Sequence, residues 1–99
     1  MYSVTEQKQR ADLRSYVARE AAKHPCISTV VAEYRSDAID LLFVVEGDLY
    51  DGETVVLRLE RDLRHNFPDL SFDLMVLPAS RYGPDFRWGS NSEVLFRRQ

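Results

Sequence analysis

Two aspartates stand in strand-like apolar runs, Asp40 in AIDLLFVVEG and Asp73 in SFDLMVLP. Carboxylates held within ~4–6 Å of each other repel, and the repulsion is relieved by a hard cation such as magnesium through oxygen ligands. The spacing suits such a pair, because the intervening chain is long enough for one helix, and two strands joined by a helix can lie side by side and parallel. Asp40 and Asp73 are therefore candidate metal ligands, with magnesium the candidate cofactor; the alternative is that each carboxylate simply stands at a strand start where water reaches it. Side-chain alternation sharpens this. In a regular strand Ala38, Asp40, Leu42, Val44 and Glu46 share one face, whereas Ile39, Leu41, Phe43 and Val45 share the other. The odd face is wholly apolar and must be buried; the even face is apolar only in its middle, so something covers it part of the way. The second run repeats the pattern, with Ser71, Asp73, Met75 and Leu77 opposite Phe72, Leu74 and Val76. Asp37 falls on the face opposite Asp40 and cannot join it while the strand stays regular.

A second group with chemical capacity lies in ASRYGPDFRWGSNS, where Arg81, Tyr82, Phe86, Arg87 and Trp88 interleave cations with aromatic rings. Such a mixture stacks on bases or on partner peptides. It also suits a lid folded back over the sheet with Trp88 as its anchor, and the lid is the preferred expectation because no broad basic field surrounds these residues. Residues 1–36 carry a net charge of +2, residues 37–73 of −7 and residues 74–99 of +2, giving −3 in all. An acidic middle repels phosphate, which argues against nucleic acid as a partner. His24 and His65 fall at helix ends and read as solvated or capping residues. Cys26 is the single cysteine, without a partner for a disulfide or a metal, and reads as a small hydrophobe.

The elements that must position these residues follow from periodicity. A helix is expected over about residues 4–23, opened by a capping box at Ser3 and Glu6 and closed by Pro25. Its stripe is Leu13, Tyr16, Val17 and Ala21, with Arg10, Arg14, Arg19 and Glu20 toward water. CISTVVAEYR and AIDLLFVVEG read as a strand hairpin about RSDA. A second helix is expected over about residues 51–66, with Val55, Val56, Leu59 and Leu63 inward, and LSFDLMVL and EVLFRR complete the strands. The order helix, strand, strand, helix, strand, loop, strand predicts an α+β fold, a two-layer sandwich with helices on one face of a mixed sheet. At 99 residues one domain is expected over 1–99. No apolar run approaches the ~20 residues that span a bilayer, and MYSVTEQKQR has no signal-peptide core, so a cytoplasmic protein is the expectation.

From AIDLLFVVE through FDLMVLPASRY to EVLFRR, roughly residues 27–98, the chain resembles the small nucleotidyltransferase fold of minimal antitoxin-type nucleotidyltransferases. The resemblance implies a magnesium and nucleotide triphosphate site in which Asp40 matches the second carboxylate of the family and Asp73 the third. The first falls on Ala38, and RSD stands where the family has a Gly-Ser phosphate turn. Two-metal phosphoryl transfer needs converging carboxylates, so the expectation is a degenerate, non-catalytic member that acts through binding or assembly with a homodimeric copy or a partner subunit, with a nucleotide as the ligand class implied. HPCISTVVAEYR, IDLLFVVEGDL and FDLMVLP are also similar to the cytoplasmic C-terminal domain of cation diffusion facilitators, which implies a dimeric metal-sensing or regulatory module. Free sheet edges are where a homodimer would be expected to pair in either case.

Overall fold

The computed structural model describes residues 4–83, 88–89 and 91–99. Its elements are α1 (Val4–Ala22), β1 (Ile27–Tyr34), β2 (Ile39–Val45), α2 (Leu49–Asn66), β3 (Phe72–Pro78), a short 3-10 turn (Ala79–Arg81) and β4 (Ser92–Arg97). This is the expected α+β order. The strands form one sheet in the order β3-β2-β1-β4, with β1 antiparallel to both β2 and β4, and β2 parallel to β3. None of the helices among the described residues is long and apolar enough to cross a membrane.

Alternation in the strands decides which side the helices cover. Ile39, Leu41, Phe43 and Val45 of β2 join Val30, Ala32 and Tyr34 of β1 and Phe72 of β3 in one buried cluster, closed by Leu13, Val17 and Ala21 of α1 and by Val56, Leu59 and Leu63 of α2. α1 packs over β1 and β4, α2 over β2 and β3. Tyr16 is half-buried at the margin of this core, edge-on to Phe67 at 5.6 Å between ring centroids. Cys26 is also half-buried against the core. On the other face Val31, Leu42 and Val44 form a smaller cluster covered by Leu77, Ala79, Tyr82 and Trp88. The partial cover expected over the even face of β2 is thus supplied by the segment after β3.

α2 begins two residues before the expected start. Asp48 caps it, its carboxylate accepting the amides of Tyr50 at 2.8 Å and Asp51 at 3.2 Å, which satisfies donors that a helix start leaves unpaired. Gly52 lies in the buried stripe, where a Cβ would meet the Val45 side chain at 2.9–3.1 Å. Its absence lets α2 sit close on β2. Of the capping box expected at the start of α1, Ser3 lies outside the described residues.

Two local features blunt the sheet edges. On β3, the Arg64 guanidinium donates to the Phe72 carbonyl at 3.2 Å, and Pro78 at the far end has no amide to offer. On β4, Val30 faces Phe96 while Val31 faces Val94, so Leu95 is an extra residue and the strand bulges. The free edges expected to serve pairing are therefore guarded.

Candidate functional site

The hairpin between β1 and β2 closes tightly. The amide of Arg35 donates to the Ala38 carbonyl at 2.9 Å, and this turn pairs Tyr34 with Ile39 and Glu33 with Asp40. At the other side of β2, the amide of Ile39 donates to the Ser71 carbonyl at 2.9 Å, setting the parallel register that puts Asp40 directly beside Asp73. Register and parity together bring the two expected carboxylates to one end of the face turned away from the helices.

A third carboxylate joins them. Since Glu33 pairs with Asp40, and Asp40 with Asp73, the three acids form a row across β1, β2 and β3, and Glu33 is flanked on its other side by Ser92 of β4. Glu33 escaped the sequence reading, although a four-residue turn over RSDA would have aligned it with Asp40. Its carboxylate accepts the backbone amide of Gly89 at 3.1 Å. A Cβ on Gly89 would meet that carboxylate, so a larger residue there requires the Glu33 side chain to swing away from the amide.

The charge between Asp40 and Asp73 is answered from within the chain. One guanidinium nitrogen of Arg35, Nη2, lies 3.0 Å from Oδ1 of Asp40 and 2.6 Å from Oδ2 of Asp73. Two oxygens touching the same nitrogen at those distances stand within ~6 Å of each other, so Arg35 fills the position between the carboxylates. The Asp40 side chain is 18% exposed and that of Asp73 68%. Asp40 therefore depends more on its counterion, because it has less water. Among the described residues no group of three or more His, Cys, Asp or Glu is arranged to hold a metal ion. Asp37, which parity separates from Asp40, is exposed on the hairpin turn, and His65 is exposed near the end of α2.

Of the aromatic group, Tyr82 and Trp88 are half-buried against Val31, Leu42 and Val44, and Arg81 is exposed. Phe86 and Arg87 lie outside the described residues. The returning chain is tied to β1 at a second point, where Asn91 donates through Nδ2 to the Tyr34 carbonyl at 2.9 Å and accepts the Tyr34 amide at 3.1 Å.

On the helix side of the same sheet end lies a cleft of about 560 Å³, bordered by Arg10, Tyr34, Asp37, Leu70, Ser71 and Asn91 among others. The guanidinium of Arg10 stacks 3.7 Å above the centroid of the Tyr34 ring, so Arg10 is drawn in from the solvent face expected for it. The Tyr34 hydroxyl donates to Oε1 of Glu93 at 3.2 Å, and Glu93 in turn pairs with Arg14 at 3.1 Å. Burial first, and the Glu93 charge second, push the Tyr34 phenol up to about 12. This network ties α1 to β1 and β4. The Arg35 side of the hairpin turn borders the cleft as well as the acidic row.

Comparison of the chain with family models, with curated proteins and with solved structures found no match.

Proposed function

We propose that the protein is a non-catalytic, nucleotidyltransferase-like domain that acts by binding or assembly with a partner. One observation carries this reading: the Arg35 guanidinium bridges Asp40 and Asp73, so a cation of the chain itself already stands between the two carboxylates. A resident guanidinium supplies positive charge but no Lewis acidity and no open coordination position, which phosphoryl transfer through metal requires. Ala38 in place of a further carboxylate and the tight, glycine-free turn at Arg35–Ala38 agree with it.

The test is isothermal titration of the chain with ATP and magnesium. The expected outcome is heat equal to that of the Asp40→Ala/Asp73→Ala variant. Magnesium-dependent binding that the double variant abolishes would contradict the reading and restore a catalytic one.

A second reading, a dimeric metal-sensing or regulatory module like the cytoplasmic domain of cation diffusion facilitators, is favoured by the short β1–β2 hairpin, which leaves no room for a phosphate-binding loop. Sedimentation with and without zinc tests it, and a mass indifferent to zinc counts against it.

A further inference from the structure

On the outer face of α2 large apolar side chains stand in water. Tyr50 is 77% and Leu57 64% exposed, opposite the buried Gly52, Val56, Leu59 and Leu63. Tyr50, Glu53, Leu57 and Arg61 follow one another at three- and four-residue steps, so they make one continuous stripe. The charges on the stripe are ordered: Glu53 lies four residues before Leu57 and Arg61 four residues after it. Neither makes an ion pair among the described residues.

We propose that two copies of this chain associate through α2, the helices antiparallel about a dyad at Leu57. That symmetry sets Leu57 against Leu57, and Glu53 of each copy against Arg61 of the other, so one contact is satisfied twice and no like charges meet. A two-fold contact uses the same patch on both copies, and a sequence that is charge-inverted about its own centre is what such a patch requires. With the sheet edges guarded by Arg64, Pro78 and the bulge at Leu95, pairing through strands is disfavoured, and of the remaining exposed apolar side chains Met75 and Val94 lie on different strands without the charge symmetry that Glu53 and Arg61 give Leu57. The contact is small. An α2 of 18 residues is ~27 Å long and presents a stripe ~10 Å wide, well under the ~800 Å² per partner of a standard interface. Self-association is therefore weak and reversible.

This helix pair would be the assembly contact of the module proposed above, and so rests on the assembly part of that reading. Sedimentation equilibrium of the full chain in EDTA, from about 10 µM to about 1 mM, tests it. The mass is expected to rise with concentration from 11.5 kDa toward twice that value. Glu53→Arg and Arg61→Glu each set like charges together at two places and are expected to weaken association at least ~10-fold, and the double variant Glu53→Arg/Arg61→Glu to restore it. Far-UV circular dichroism establishes that each variant is folded. A constant monomer mass overturns the proposal, as does a dimer indifferent to the single reversals or a double variant that stays monomeric. A monomer leaves the ATP titration to judge the role of Arg35, so the two failures are distinguishable.

Discussion

Replacing Arg35 by alanine removes both contacts of the bridge and leaves Asp40 and Asp73 side by side without a counterion. The loss can be built from its parts. The contact to Asp73 is largely solvated, with the Arg35 side chain 44% and that of Asp73 68% exposed, and so contributes ~0.5 kcal/mol. The contact to the less exposed Asp40 contributes ~1 kcal/mol as a charge-assisted hydrogen bond. Repulsion between the two carboxylates, one of them 68% exposed and so screened largely by bulk water, adds a further ~0.5–1 kcal/mol. Arg35→Ala is thus expected to cost about 2 kcal/mol in urea unfolding and to lower the melting temperature by roughly 10 °C. Arg35→Lys, which keeps the charge but cannot hold the same planar geometry, is expected to lose less than half as much. The sharper part concerns rescue. In Arg35→Ala a divalent cation can enter the vacated position, and magnesium at ten times its dissociation constant would return about 1.4 kcal/mol. The same magnesium should leave the native chain and the Arg35→Ala/Asp40→Asn/Asp73→Asn variant unchanged. A loss below ~0.5 kcal/mol, or a rescue equal in all three proteins, would refute the idea that Arg35 does the work of a cation here.

Three other outcomes follow from the geometry. Gly89→Ala sets a methyl group where the Glu33 carboxylate lies, so that side chain swings away and its hydrogen bond from the Gly89 amide is lost; the change is expected to cost ~1 kcal/mol and to shift the emission of Trp88, the sole tryptophan, to longer wavelength. In a Glu33→Ala background the same change should cost less than the two single losses together, because the obstacle is gone. The Tyr34 phenol titrates at about 12 in the folded chain against 10.0 ordinarily, so the folded state holds its proton longer: this contribution is complete below pH 10.0 and is lost as pH rises to about 12. The rise from 10.0 to about 12 sets a ceiling of ~2.7 kcal/mol, and solvent in the adjoining cleft reduces it to about half; urea midpoints against pH should fall less steeply across that window in Tyr34→Phe. Asp48→Ala unpairs the first amides of α2 and is expected to cost ~1 kcal/mol by thermal unfolding, with Asp48→Asn close to native.

Much of this arrangement was legible in the residues. Alternation in AIDLLFVVEG shows which β2 side chains face the helices, and a helix-length interval before FDLMVLP allows β3 to lie parallel to β2, so Asp40 and Asp73 on one face was an arrangement the pattern permitted without requiring it. Register was harder, because alternation repeats every two residues and leaves the slide between strands open. It is set by the Ile39 amide on the Ser71 carbonyl, a loop contact without a local signature. The row was extended to Glu33 by the hairpin turn, for which the four residues RSDA did carry the information. Arg35 was illegible for a different reason: a long side chain at a turn can reach in several directions, and only the assembled strand ends select one. The early start of α2 was obscured by Gly52, unfavourable in a helix interior by about 1 kcal/mol, until its packing against Val45 supplies the reason for it.

The position between Asp40 and Asp73 can be read directly by diffraction from crystals soaked in manganese, whose anomalous signal distinguishes a bound ion from a side chain. No anomalous peak is expected between the two carboxylates, with Arg35 Nη2 still within hydrogen-bond distance of both. A peak there, with Arg35 swung away from the pair, would contradict the bridging role of Arg35.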